Sequence, residues 1–195
     1  MPNWCYTQMV VYGNATEIKD FHERLLKAQQ EAEESQEWFL YRIYVQFGYS
    51  KEKILNSDTI GYIRGNVCDI QLLSDTELKV TYESAWAPMI GGFDYLLETH
   101  YISLKEVTLA EEPGNEVYIN TDTKHTYFDI KYCVDVEDYD TYYVSSDKEV
   151  VRIINEWNDT DKKCETIQDC YELLDKNDGY VGSKHTYITL NEYSA

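Results

Sequence analysis

Cys5, Cys68, Cys133, Cys164 and Cys170, with His22, His100, His125 and His185, are the side chains in this 195-residue chain best suited to metal or nucleophilic chemistry. A metal site needs such ligands, or carboxylates, converging at short range. Cys164 and Cys170 stand six residues apart, on opposed faces of a helix or with one of them before it, and the histidines are dispersed. No spacing therefore predicts a metal, and no cofactor is expected. There is no Gly-x-Ser-x-Gly elbow, and no cysteine lies among basic residues that would lower its pKa. Cys5 reads as a small buried hydrophobe, catalytic only if the fold brought a histidine to it. No glycine-rich phosphate loop precedes a helix with Lys-Ser/Thr. Thirty-six acidic residues offer many accidental carboxylate pairs, so no single pair marks a hydrolase. The expectation is a protein that is not an enzyme.

Charge is the informative property. Thirty-six Asp and Glu against 17 Lys and Arg give a formal charge of −19. Such a surface repels nucleic-acid phosphates and anionic lipid, so neither direct DNA binding nor membrane binding is expected, and it draws in basic partners. The excess is uneven. Residues 106 to 149 hold twelve acids and three lysines, nine net negative charges in 44 residues. Its centre is Asp135, Glu137, Asp138, Tyr139, Asp140, Tyr142 and Tyr143, with Glu111 and Glu112 as a second patch. Carboxylates interleaved with tyrosines offer charge for arginine and lysine together with rigid aromatic contact area. Three readings stand side by side: a solvated face, an interface for a basic protein, and a calcium loop, although the segment lacks the Asp-x-Asp-x-Asp-Gly order of such loops.

The N-terminal segment has no basic stretch followed by an apolar run, which predicts no signal peptide. No apolar stretch reaches the ~18 residues of a membrane span. An odd number of scattered cysteines without a CxxC pair predicts reduced thiols in a cytoplasmic setting.

These residues must be positioned by recognisable elements. Residues 4 to 12 read as a strand, then Asn14 caps a helix with Glu17 at the reciprocal capping-box position; Ile18, Phe21, Leu25, Ala28 and Ala32 form its apolar stripe to about Ser35. Residues 38 to 47 read as a short buried helix or strand stopped by Gly48. Strands follow over 61 to 73 and 78 to 86, then a helix with Pro88 in its first turn and Met89, Phe93, Leu96 and Leu97 as its stripe. A hairpin spans 102 to 110 and 116 to 120, and Phe128, Ile130, Tyr132, Val134 and Val136 alternate as a strand. Ser146 with Glu149, and Thr166 with Asp169, start two more helices, the second with Ile167, Cys170, Tyr171 and Leu174 inward; a final strand covers 185 to 193. This pattern predicts one α+β domain over 1 to 195, an antiparallel sheet with helices packed on one face. The tetrapeptide at Lys124-His125-Thr126-Tyr127 recurs at Lys184-His185-Thr186-Tyr187, as a paired histidine site or as an accident of strand-forming residues.

Four segments, Pro2-Asn3-Trp4-Cys5, Arg64-Gly65, Tyr82-Glu83-Ser84-Ala85-Trp86-Ala87-Pro88 and Ala110-Glu111-Glu112-Pro113-Gly114, occur in the order seen in the YubB-like family of plasmid, phage and gut-bacterial proteins, which this chain resembles over about residues 1 to 135. Thr7 stands where that family often has Asn or Ser, and Asn115-Glu116-Val117-Tyr118 replaces its aromatic glycine-rich stretch. The resemblance implies a ferredoxin-like core over about 1 to 135 with an addition over 136 to 195, and a mobile-element setting. It implies no catalytic residues.

Together these readings predict a non-enzymatic phage or mobile-element protein. Its acidic, tyrosine-rich surface would occlude a basic nucleic-acid-binding host protein, such as a defence nuclease of the CRISPR type. The alternative is an accessory protein- or RNA-binding module, for which exposed aromatics are present but the basic support is missing.

Overall fold

The computed structural model describes residues 3–56, 63–159, 161, 163–183 and 186–195. It is a mixed α+β structure with two antiparallel sheets, where one was expected, and neither closes into a barrel. Contacts divide the chain into two units, Met1–Asp122 and Thr123–Ala195.

In the first unit, strand β1 (Trp4–Tyr12) leads to helix α1 (Ala15–Ser35), short helices α2 (Phe39–Gln46) and α3 (Lys51–Leu55), strands β2 (Gly65–Ser74) and β3 (Glu77–Ala85), helix α4 (Ile90–His100), strand β4 (Lys105–Glu112), a 3-10 turn (Pro113–Asn115) and strand β5 (Val117–Asn120). The sheet order is β2-β3-β1-β4-β5, every neighbour antiparallel. Alternation along β1 and β3 sends Met9, Val11, Leu78, Val80 and Tyr82 to one face, where they form a single core with residues of α1, α2 and α4. The predicted α1 stripe is the buried set, Ile18, Phe21, Leu25, Ala28 and Ala32. Each large apolar side chain so buried contributes roughly 1.5–3 kcal/mol against chain entropy.

Two start signals behave differently from the expectation. Asn14 does cap α1, accepting from the Thr16 N–H at 2.8 Å. Glu17, however, turns away from a capping box and accepts from Ile102 N, Ser103 N and the Ser103 hydroxyl at 3.1, 3.0 and 2.6 Å. Three donors on the loop after α4 outcompete one N–H at the cap, and the Ser103 hydroxyl above all holds the Glu17 carboxyl below its usual range. Pro88 lies before α4 rather than in its first turn, since Met89 is the N-cap.

In the second unit, strands β6 (Tyr132–Val136) and β7 (Thr141–Val144) form a hairpin, followed by helices α5 (Asp147–Trp157) and α6 (Ile167–Lys176) and strands β8 (Tyr180–Val181) and β9 (Thr186–Glu192). The order is β7-β6-β9-β8, again antiparallel. Tyr132, Val134, Val136, Val144 and Ile188 pack with Val150, Ile153, Ile154, Cys170 and Leu174 into a second core. Thr166 and Asp169 complete the expected capping box on α6. Ser146 caps α5 by accepting from the Glu149 N–H at 3.4 Å, and the Glu149 carboxylate reaches back to the Ser146 hydroxyl at 2.9 Å and the Ser145 N–H at 3.3 Å. No helix among the described residues is long and apolar enough to cross a membrane.

Candidate functional site

The centre of the acidic segment is the β6–β7 hairpin. Pairing of Asp135 with Thr141, Val134 with Tyr142 and Cys133 with Tyr143 sets which side chains share a face. Val134 is fully buried, so Tyr142, its cross-strand partner, faces the same core and packs against it. Asp135 and Tyr143 project from the other face, both exposed, with the Thr141 hydroxyl donating to Asp135 Oδ1 at 2.6 Å.

Between the strands, Glu137, Asp138, Tyr139 and Asp140 form the exposed tip. Its backbone is tied down: Val136 N donates to Asp140 O at 3.1 Å, Tyr139 N to Val136 O at 3.0 Å, and Glu137 N to Tyr187 O at 3.0 Å. Asp138 takes a left-handed conformation, φ 66°, which aspartate tolerates better than most residues. The Tyr139 ring lies 4.4 Å from the Trp157 ring on α5 and still exposes 59% of its surface. Four carboxylates and two exposed phenols thus stand on a short hairpin with a fixed turn. Chemically it can pair with several cations at once while offering flat apolar area.

Of the sequence-predicted site residues, the hairpin brings together Asp135, Glu137, Asp138, Tyr139, Asp140 and Tyr143, and turns Tyr142 inward. Glu111 and Glu112 belong to the first unit. Glu112 is 4% exposed: its Oε1 accepts from Gly114 N at 3.0 Å, and its Oε2 is buried with no hydrogen-bond partner. Glu111 is half-buried.

The segments that carry the family resemblance converge at one end of the first sheet. Trp86 N donates to Asn3 O and Ala85 N to Arg64 O, both at 2.9 Å, while Trp4 pairs with Ala85 and Gly65 with Ser84. Gly114 belongs to the same cluster, because a Cβ there would sit 2.5 Å from Asn3 Nδ2. Trp86 holds φ 73°, unusual for a bulky residue, and is exposed. The Trp4 and Trp38 rings lie 6.0 Å apart, and the Arg64 guanidinium sits 5.5 Å over Trp38. Trp4 and Trp86, large enough to anchor a core, are instead exposed. Strand alternation against buried Cys5 was the available signal for Trp4.

Burial pushes the Cys5 thiol up to about 11 and the Cys170 thiol up to about 12, so both stay protonated near neutral pH. Among the described residues no group of three or more His, Cys, Asp or Glu is placed to hold a metal ion. Lys184 and His185 lie outside the described residues, so only the first copy of the Lys-His-Thr-Tyr motif is described whole, and there His125 Nδ1 lies 3.3 Å from Phe128 O. No family model, curated protein or solved structure matches this chain.

Proposed function

We propose that this chain is a non-enzymatic, cytoplasmic binding protein of a phage or mobile element, and that it occludes the nucleic-acid groove of a basic host protein with its acidic hairpin. The observation that carries the reading is the hairpin tip: Glu137, Asp138 and Asp140 exposed beside Tyr139, on a backbone held by three hydrogen bonds. A fixed turn lowers the ordering cost of binding, and clustered charge speeds encounter. Carboxylates would stand in for phosphates and tyrosine rings for bases; a defence nuclease of the CRISPR type is the concrete target.

The same reading takes the first unit as a ferredoxin-like member of the YubB-like family. Its support is the succession β1-α1-β2-β3-α4-β4, with α2 and α3 added between α1 and β2, and the order β2-β3-β1-β4 with antiparallel neighbours. The competing RNA-binding reading has exposed Trp4 and Tyr6 in its favour, but Glu83 and Glu111 flank Tyr6 and would repel phosphate. The test is charge reversal at Asp138 and Asp140 in a binding assay with a basic nucleic-acid-binding protein at low salt. Affinity should fall at least tenfold, and unchanged affinity would discard the hairpin as the contact.

A further inference from the structure

Across the first sheet, one level of the strand register places four side chains in a row. Glu83 of β3 pairs with Tyr6 of β1, Tyr6 with Glu111 of β4, and Glu111 with Tyr118 of β5. Directly paired residues project from the same face. Tyr6 alternates with Cys5 and Thr7, and Glu83 with Tyr82, so this is the face opposite the α1–α2–α4 core. Neighbouring strands lie about 4.8 Å apart, so the row reads carboxylate, phenol, carboxylate, phenol, with the backbone positions of its two glutamates about 9.6 Å apart. Trp4, two residues before Tyr6, adds aromatic area on that face. Trp4 and Tyr6 are each 39% exposed and Glu83 is exposed, whereas Glu111 and Tyr118 are half-buried.

Each part of the row suits a guanidinium, which forks onto a carboxylate and stacks on an aromatic face. The molecule already contains one such contact at this end, the Arg64 guanidinium over Trp38, whose ring neighbours Trp4. Spacing narrows the ligand further. A polyproline-II segment rises about 3.1 Å per residue with three residues per turn, so every third side chain recurs on one side about 9.3 Å along, close to the spacing of the two glutamate positions.

We propose that this row is a docking strip for an extended segment of a basic protein bearing arginine at every third residue. The proposal rests on the basic-partner reading above and adds a second contact surface to it. Two arginines pair with Glu83 and Glu111, and Tyr6 and Trp4 supply the stacking faces between and beside them. Charge complementarity selects the occupant: both side chains that flank Tyr6 in the register, Glu83 and Glu111, are carboxylates, on a chain of net charge −19.

The probe is a fluorescein-labelled peptide of Arg-Pro-Pro repeats, titrated in a low-salt anisotropy assay against the full chain and its Tyr6→Ala, Glu83→Lys and Asp138→Lys/Asp140→Lys variants. Circular dichroism checks that each variant is folded, and Glu83→Gln replaces Glu83→Lys if the latter is not. Tyr6→Ala and Glu83→Lys should each weaken binding five- to tenfold, and the matching Lys-Pro-Pro peptide should bind more weakly than the arginine one. Wild-type affinity in both strip variants, with loss only in the hairpin variant, overturns the strip and leaves the hairpin reading standing. Loss only in the strip variants removes the hairpin and keeps the strip. No binding of the peptide by the wild-type chain overturns the strip and leaves the hairpin reading to its own test with a basic nucleic-acid-binding protein.

Discussion

Replacing Glu106 with Gln should stabilise the protein above neutral pH and do little below about pH 5. Glu106 lies on β4, on the core-facing side that also carries Thr108, whose hydroxyl donates to Glu106 Oε2 at 2.6 Å. Burial, partly offset by that hydrogen bond and reinforced by Asp94 on α4, pushes the Glu106 carboxyl up from 4.5 to about 7. Asp94 is itself raised, first by burial and then by Glu98. At about 1.4 kcal/mol per pH unit, the Glu106 rise corresponds to about 3 kcal/mol. Glu106 keeps some contact with solvent, so a value of about 2 kcal/mol is expected. The folded chain holds this proton more tightly than the unfolded one. The stability it confers is therefore full below about pH 4.5 and is lost as pH rises toward about 7. Gln keeps an acceptor for Thr108 and adds a donor toward Asp94 without a charge. Urea unfolding of both proteins, followed by tryptophan fluorescence across about pH 5 to 8, gives the difference curve. Trp4, Trp38 and Trp86 all lie in the first unit, so the signal reports mainly on the unit that contains Glu106. The variant should be ahead by about 2 kcal/mol near pH 8 and level near pH 5. A variant equal to or weaker than wild type near pH 8 would refute the reasoning.

Two further outcomes follow from burial. Of the five cysteines only Cys68 is exposed, so one thiol per chain should react with a disulfide reagent in the folded state, slowed because partial burial and then Glu83 and Asp69 push its pKa up, and four only on unfolding; reaction of a second thiol in the folded state would contradict the burial of Cys5, Cys133, Cys164 and Cys170. Gly65→Ala would place a Cβ 2.3 Å from Glu83 O and 2.6 Å from Leu40 Cδ1. Since backbone cannot yield cheaply, that variant should lose about 2–4 kcal/mol in urea unfolding, and a wild-type midpoint would show that the strand relaxes.

Amphipathic periodicity made much of the fold legible. The α1 stripe, the cap at Asn14, the β1 strand and the α6 capping box all follow from local rules that tertiary contacts leave intact. Glu17 was misjudged because its donors sit 85 and 86 residues away, a competition no local window contains. Lys51–Leu55 and Thr141–Val144 were missed because each is a short element stabilised mainly by its neighbours. Tyr-Tyr-Val after Asp140 did carry strand propensity, but the density of acids around it suggested a loop. The predicted strand from Phe128 shortens to Tyr132–Val136, since alternation alone does not supply a pairing partner. At the candidate site the clustering of charge was readable, whereas the inward turn of Tyr142, the burial of Glu112 and the Glu83–Tyr6–Glu111–Tyr118 row depend on strand register.

The measurement closest to the central claim is the affinity of the wild-type chain for a basic nucleic-acid-binding protein, taken as a function of salt and repeated with Asp138→Lys/Asp140→Lys. The acidic-hairpin account predicts tight binding at low salt that weakens steeply as salt rises, and at least a tenfold loss in the double variant through a slower on-rate. Binding that is indifferent both to salt and to the two reversals would contradict it.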